Sequence, residues 1–280
     1  MTHPPSARPT EPLQSTPPDR GAETPASGAV WTDADLAASP HARADKADRV
    51  RRMFAAIAGS YDLNNRVHSL GLDQAWRRRA VRAAGVRPGE TVLDVACGTG
   101  DLTETFARRT GAARVIGLDF TQEMLDVAAE KRRRLLPDRA ARIEYVRGDA
   151  MDLEQIETAS VDVVSIAFGI RNVQEPARAV GEFARVLKPG GRLVVLEFDT
   201  PRNPLVRWAN NLYSGRIMPW TATLLARDRS GAYRYLPRSV GSFMSRDELA
   251  RVMEEAGFRG VTARPLTLGI VVLYRGVRGA

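Results

Sequence analysis

A single cysteine, Cys97, and three scattered histidines, His3, His41 and His68, are all the thiol and imidazole chemistry that this chain carries. No internal disulfide can form, and no ligand-type spacing points to a metal, so none is expected. No stretch approaches the ~18 apolar residues of a membrane span. The amino-terminal segment also lacks the cationic start and continuous apolar run of a secretory signal. A cytoplasmic protein is the expectation, and the lone cysteine suits a reducing compartment.

What is abundant is positive charge, with 41 Lys+Arg against 33 Asp+Glu for a net charge of +8. The first 45 residues carry a net charge of −3, which leaves +11 on the remainder. Such a balance admits nucleic acid or an anionic membrane surface as a partner without deciding between them. Eight of the 17 prolines fall before residue 41, among Ser, Thr, Ala and Gly. Residues 1–44 therefore read as a disordered tail, and 45–280 as one domain.

From Lys46 onward the pattern changes. Val50, Met53, Phe54 and Ile57 recur at helical spacing, and Gly59 ends that helix; a second helix over Asp73–Ala84 turns Trp76, Ala80 and Val81 inward and Arg77, Arg78 and Arg79 mostly outward. Five β-type runs follow, "TVLDVA", "RVIGLD", "RIEYVRGD", "VDVVSIAF" and "GRLVVLEF", separated by helical segments such as Leu102–Arg109, Gln122–Leu135 and Pro176–Leu187. Two closing strands are expected near Val261–Pro265 and Gly269–Arg275. The alternation predicts an α/β fold with a seven-stranded, mostly parallel sheet covered by helices on both faces. Residues 199–244 break it with Leu205, Trp208, Leu212, Tyr213, Met218, Trp220 and Leu224, and read as an inserted helical cap. Ser245 with Glu248 has the form of a capping box for the helix that follows.

The stretch "VLDVACGTGD" sets Gly98 and Gly100 where a strand turns into a helix, so backbone can approach a ligand at the carboxyl edge of the sheet. A dinucleotide loop wants a third glycine where Thr103 stands, and a phosphate loop wants a lysine that is missing here. Asp94, Asp101, Asp119 and Asp149 fall at or just beyond strand ends. Such a rim repels phosphate and favours a cation. S-adenosylmethionine, with its ammonium and sulfonium and no phosphate, fits that description. Asp119, 19 residues beyond Gly100, is placed to accept the ribose hydroxyls. Asp149 and Ala150 are placed for the adenine amino group, with Met151 beside the ring, and Thr99 for a further contact. Cys97 reads as a small loop residue with no histidine near it to make a nucleophile.

These residues, with "YDLNNRVHSLGLDQAWRR", "GLDFTQEML", "AFGIRNV", "RVLKPGGRLVVLEF", "YRYLPRSVGSF" and "LTLGIVVLYRG", resemble the menaquinone and ubiquinone biosynthesis C-methyltransferases, a class I group with a Rossmann-like fold. The resemblance runs over nearly everything from Lys46. It implies S-adenosylmethionine as cofactor and places cofactor contacts on Thr99, Asp119, Asp149 and Ala150. Two departures stand out. Ala167 occupies a position where a cofactor-contacting serine is expected, and Asp73–Gln74 replaces a more usual His-Arg pair.

The implied reaction moves a methyl from sulfonium to a ring carbon of a polyprenylated quinol, most closely demethylmenaquinol; a ubiquinone-pathway benzoquinol is the alternative. The enzyme must position the ring and make it nucleophilic, which loss of a hydroxyl proton achieves. Tyr61 and Asp62 are candidates to accept or relay that proton, directly or through water near Arg171 and Asn172, with Arg171 stabilising the phenolate. A polyprenyl tail implies pick-up at the inner face of the cell membrane, for which Arg51, Arg52, Arg77, Arg78 and Arg79 suit anionic lipid. A nucleic-acid methyltransferase is disfavoured because neither an Asn/Asp-Pro-Pro-Tyr/Phe after the fourth strand nor a Pro-Cys nucleophile is present. An intact glycine loop argues against a regulatory subunit. Nothing in the sequence opposes a homo-oligomer.

Overall fold

Short runs of Val, Ile and Leu broken at Gly- and Asp-rich turns need cover on both faces, and a parallel sheet between helical layers supplies it. The computed structural model describes residues 30–32, 35–36, 39–217 and 231–280. Seven strands form one sheet: β1 Thr91–Val95, β2 Arg114–Asp119, β3 Ile143–Arg147, β4 Val161–Ala167, β5 Leu187–Phe198, β6 Phe258–Leu266 and β7 Val271–Arg278. Their order is β3-β2-β1-β4-β5-β7-β6. Strand β7 runs antiparallel to both β5 and β6, while the other pairs are parallel. Between β1 and β4 the winding reverses, and there the loops leaving two neighbouring strands part to leave a crevice. Val95 stands level with both Leu118 and Ile166, so the loops after β1, β2 and β4 emerge on one edge.

Helices in chain order are α1 Lys46–Ile57, α2 Tyr61–His68, α3 Leu72–Ala84, α4 Asp101–Arg109, α5 Gln122–Arg132, α6 Pro176–Val186, α7 Pro204–Leu212, α8 Ala232–Gly241 and α9 Arg246–Glu255, with a single turn at Pro137–Ala140 between α5 and β3. Alternate strand residues face opposite layers. Leu93, Val164 and Val195 pack with Phe183 of α6 and Met253 of α9. Val92, Val163 and Val194 pack with Trp76 and Ala80 of α3 and Phe106 of α4. Ser245 and Glu248 form the expected capping box at the start of α9.

Two expectations are corrected. Arg77 is buried, not outward with Arg78 and Arg79, because 73, 76, 77, 80, 81 and 84 form one inner stripe of α3. Nor does a disordered tail extend to residue 44. Trp31 is fully buried and stacks on Tyr235 of α8 with ring centroids 4.7 Å apart, and Leu36 is buried near it. Arg49 of α1 clamps this strap, lying over the Trp31 ring and donating to the Val30 carbonyl at 2.8 Å and to Asp35 at 3.0 Å. Farther along, His41 Nε2 donates to the Ser239 carbonyl at 2.8 Å. Composition hid the strap because a few anchoring side chains suffice to hold it. Of the expected cap, α7, the π-helical turn Tyr213–Ile217 and α8 are seen, while Met218, Trp220 and Leu224 lie outside the described residues.

Trp31→Ala is expected to lower the unfolding free energy by about 3–5 kcal/mol, the usual cost of emptying a buried Trp site. Truncation at residue 44 should destabilise at least as much. Denaturant unfolding of both proteins checks this, and a midpoint equal to that of the full chain would mean that the strap does not dock.

Candidate functional site

At the end of β1 the Asp94 carboxylate is fully enclosed, with one oxygen accepting from Thr103 Oγ1 of α4 at 2.7 Å and the other from Ser165 Oγ of β4 at 2.8 Å. Burial pushes its pKa up to about 6. Above it the loop turns through left-handed backbone at Ala96, Gly98 and Gly100. The two glycines differ in purpose. A Cβ on Gly98 would meet only the edge of the Tyr61 ring, at 4.0 Å, so the space over its backbone is open to a ligand. A Cβ on Gly100 would run into the Tyr145 hydroxyl and lie 3.2 Å from Ala128, so this glycine is required by packing.

Asp119, at the end of β2, accepts the Gly98 N–H at 2.8 Å through Oδ2 and the Thr121 N–H at 2.9 Å through Oδ1. Each oxygen keeps a lone pair, and burial raises the carboxyl pKa. Asp119, Gly98, Asp149, Ala150, Met151 and Asn172 are among the walls of a cavity of about 750 Å³, its mouth included. Asp149 Oδ1 accepts the Met151 N–H at 2.9 Å, which fixes the turn after β3. Ala167 also faces this cavity, where a serine was expected.

Asp94, Thr99, Gly100 and Asp101 do not line this cavity, which corrects the picture of an aspartate rim. Asp94 spends both oxygens below the loop. Thr99 turns away to donate to Asp62 Oδ1 at 2.5 Å, and Asp62 Oδ2 accepts from Lys131 at 2.6 Å. Lys131 also bonds Asp101 at 2.5 Å. Asp62 is thus a strut from α2 to the glycine loop and touches neither cavity, so its expected part in proton transfer is not supported by its position.

A second cavity, about 1710 Å³ with its mouth, lies against the first and shares Phe54, Tyr61 and Phe168 with it. Burial raises the Tyr61 hydroxyl pKa. Phe168 closes β4 in left-handed backbone and packs on Phe198 with centroids 4.6 Å apart. Arg171 lines the second cavity. Its Nη1 donates to the Phe168 carbonyl and to Glu197 Oε1, both at 2.7 Å, while its Nε is buried with no acceptor in the protein. Asn172 borders the first cavity instead, and its side-chain oxygen accepts from the Tyr235 hydroxyl at 3.0 Å.

Sequence reasoning missed several partners. Glu197 anchors Arg171 from β5, and its only sequence signal was a carboxylate inside an apolar strand. Lys46, buried on α1, donates to the Val173 carbonyl at 2.5 Å, and burial pushes its ammonium pKa down to about 8. Lys131 and Tyr235 gave no signal beyond ordinary helix positions. Among the described residues no cluster of His, Cys, Asp and Glu could hold a metal ion.

The site's likeness to known proteins follows the same outline. The ubiE/COQ5 methyltransferase family matches residues 42–278. The demethylmenaquinone methyltransferase of Clavibacter sepedonicus is 42% identical over 235 residues, covering 84% of this chain and 92% of its own length. The ubiquinone/menaquinone biosynthesis C-methyltransferase UbiE of Teredinibacter turnerae is 40% identical over 238 residues, with 84% and 93% covered. Among solved structures, a S-adenosylmethionine-dependent methyltransferase of Thermotoga maritima superposes with a TM-score of 0.56 at 19% identity, covering 82% of this chain and 99% of that one. That likeness speaks for the fold alone. With the match running through every strand and both cavities, the chain belongs to the ubiE/COQ5 methyltransferase family.

Proposed function

We propose that this chain methylates a ring carbon of a polyprenylated quinol, demethylmenaquinol before a ubiquinone-pathway benzoquinol, at the place where its two cavities meet. The observation that carries the reading is the shared wall of Phe54, Tyr61 and Phe168, which puts a large, mainly apolar chamber directly against the cofactor-sized one. When bound, S-adenosylmethionine supplies an electrophilic methyl on a cationic sulfur. The first cavity suits it. Gly98 offers open space over its backbone, and Asp119 holds two free lone pairs for ribose hydroxyls. Asp149 and Ala150, with Met151 beside them, line the same cavity and would take the adenine.

On the acceptor side the protein must orient the ring, exclude water and favour negative charge on the quinol. Arg171 does the last. Glu197 and the Phe168 carbonyl hold its guanidinium fixed, so no reorganisation is needed when charge develops. Tyr61 stands at the junction as a wall and hydroxyl donor; its raised pKa makes it a poor base. Asn172 braces the loop after β4 against α8 through Tyr235.

The quinol's tail calls for contact with a bilayer. Around the second cavity, α7 exposes Leu205, Trp208 and Leu212 on one face, with Leu70 and Leu268 exposed on neighbouring turns. Tyr213 ties that segment to α2 by donating to the His68 carbonyl at 2.9 Å. Exposed Arg207 and Arg216 lie on the same segment, and they fit anionic headgroups. No described helix is long and apolar enough to cross a membrane, so surface association is the mode proposed.

Offering purified protein labelled S-adenosylmethionine with a demethylnaphthoquinol or a benzoquinol tests the assignment directly, and transfer to neither would refute it. Asp119→Ala should weaken cofactor binding by about 1.5–3 kcal/mol, read by calorimetry, because a charge-assisted hydrogen bond is lost. Arg171→Met should lower turnover roughly 10²–10³-fold, and should also lower melting because Glu197 is left buried without its partner. Adding Glu197→Gln should recover melting but not turnover. A double variant with near-parental turnover would remove Arg171 from the chemistry. Replacing Trp208 and Leu268 together by Ser should weaken binding to anionic vesicles roughly tenfold or more, from the lost apolar area; unchanged co-sedimentation would exclude this edge.

A further inference from the structure

The reading above leaves the quinol's hydroxyl proton without an acceptor, since Asp62 touches neither cavity and Tyr61 is a poor base. Within the second cavity, α3 presents a carboxylate and a guanidinium one turn apart, Asp73 and Arg77, both buried and both on the cavity wall. Asp73 accepts from Ser69 Oγ and from Gln74 Nε2, each at 3.0 Å. Arg77 Nε lies 3.9 Å from an oxygen of Asp73 and 3.9 Å from an oxygen of Asp101, too far for a hydrogen bond to either. It is a buried donor with no acceptor in the protein. Its guanidinium is thus a positive charge held close to Asp73 without a hydrogen bond to it.

A quinol has two oxygens at opposite ends of its ring, and a chamber that holds it benefits from two polar poles. Arg171 provides one. We propose that Asp73 and Arg77 provide the other, with Asp73 accepting the hydroxyl proton of the quinol and the Arg77 guanidinium, on the same wall, stabilising the oxygen that has lost it. This rests on the quinol reading given above. The O–H bond breaks, the proton passes to the Asp73 carboxylate, and the electron pair remains on oxygen and spreads to the adjacent ring carbon. That carbon bonds the methyl as the C–S bond breaks with its pair going to sulfur. Loss of the carbon's own hydrogen as a proton to water restores the aromatic ring. Asp73 then returns its proton to the oxygen, so one proton leaves overall.

The charged and titratable groups around Asp73 are Arg77 on its own helix, Arg66 and His68 on α2, Asp101 of α4 with its Lys131 partner from α5, and Arg171 across the chamber. The test uses the full-length protein, a short-tailed demethylnaphthoquinol kept reduced and labelled S-adenosylmethionine. Turnover is followed against pH, alongside cofactor affinity and melting. Asp73→Asn should lower kcat roughly 10²-fold or more near pH 7, and activity should climb with pH as the quinol ionises unaided. Cofactor affinity should stay within about twofold, because a proton acceptor contributes nothing to cofactor binding. Asp73→His should keep at least roughly a tenth of the turnover and move the acid limb of the profile toward about 6.5, the imidazole range. An Asn variant within about threefold of the parent, a difference too small for a lost general base, overturns the proposal. So does a His variant whose acid limb stays where it was, and that profile decides alone if the Asn variant fails to fold. If the parent methylates no quinol at all, the functional reading falls first and separately.

Discussion

Everything at the carboxyl edge of the sheet hangs on one enclosed carboxylate. Asp94 joins β1 to β4 through Ser165 and to α4 through Thr103, at the point where the winding of the sheet reverses. The arrangement is not free. With its pKa raised to about 6 against about 3.9 unfolded, Asp94 binds a proton more tightly in the folded state. Its contribution to stability is therefore greatest below the unfolded pKa and is lost as pH rises through about 6. Near neutrality the fold keeps a charged, enclosed carboxylate so that two hydroxyl donors can fix three elements in register. Gly98 and Asp119 can face a ligand because the layer beneath them is already committed.

Strain is concentrated in the same few ångströms. Ala96 and Phe168 are non-glycine residues in left-handed backbone, one after β1 and the other after β4. Their neighbour Gly169 has no room for a side chain, since a Cβ would come within 2.7 Å of the Ala96 methyl. Such conformations cost on the order of 1–3 kcal/mol each and persist when surrounding packing over-determines them. Here the packing is the Phe168–Phe198–Trp76 aromatic group and the Arg171–Glu197 pair. The outcome is that Phe168 turns its ring into the partition between the cavities.

Much of this was legible in the sequence. Strand runs, the order of elements, the capping box and the glycine loop follow from periodicity and turn chemistry, which are local. That Asp119 and Asp149 would stand on the wall of the first cavity was legible too, because a carboxylate just past a parallel strand lies on the carboxyl edge of the sheet whatever else the chain does. Direction was what local pattern could not supply. Asp62 and Asp94 were counted with the ligand-facing acids, yet their oxygens point at Thr99, Lys131, Thr103 and Ser165, partners set by tertiary packing. Arg77 looked like one of three surface arginines, and only its place on the stripe with Asp73 and Trp76 sends it inward. Trp31 sat in a proline-rich stretch whose composition masked a single deep anchor.

The aromatic strap has a consequence in time as well as in space. Among the described residues the first cavity is lined by residues 47–174, whereas the second draws on residues as late as 270. The strap, which packs on Tyr235 of its wall, is fastened across 198 positions of sequence, from His41 to Ser239. A chain leaving the ribosome amino terminus first has made the strap long before α8, the helix it fastens to, and contacts so far apart in sequence carry the largest closure cost. The second chamber is therefore enclosed only once the closing segment of the chain, from α8 onward, has been made.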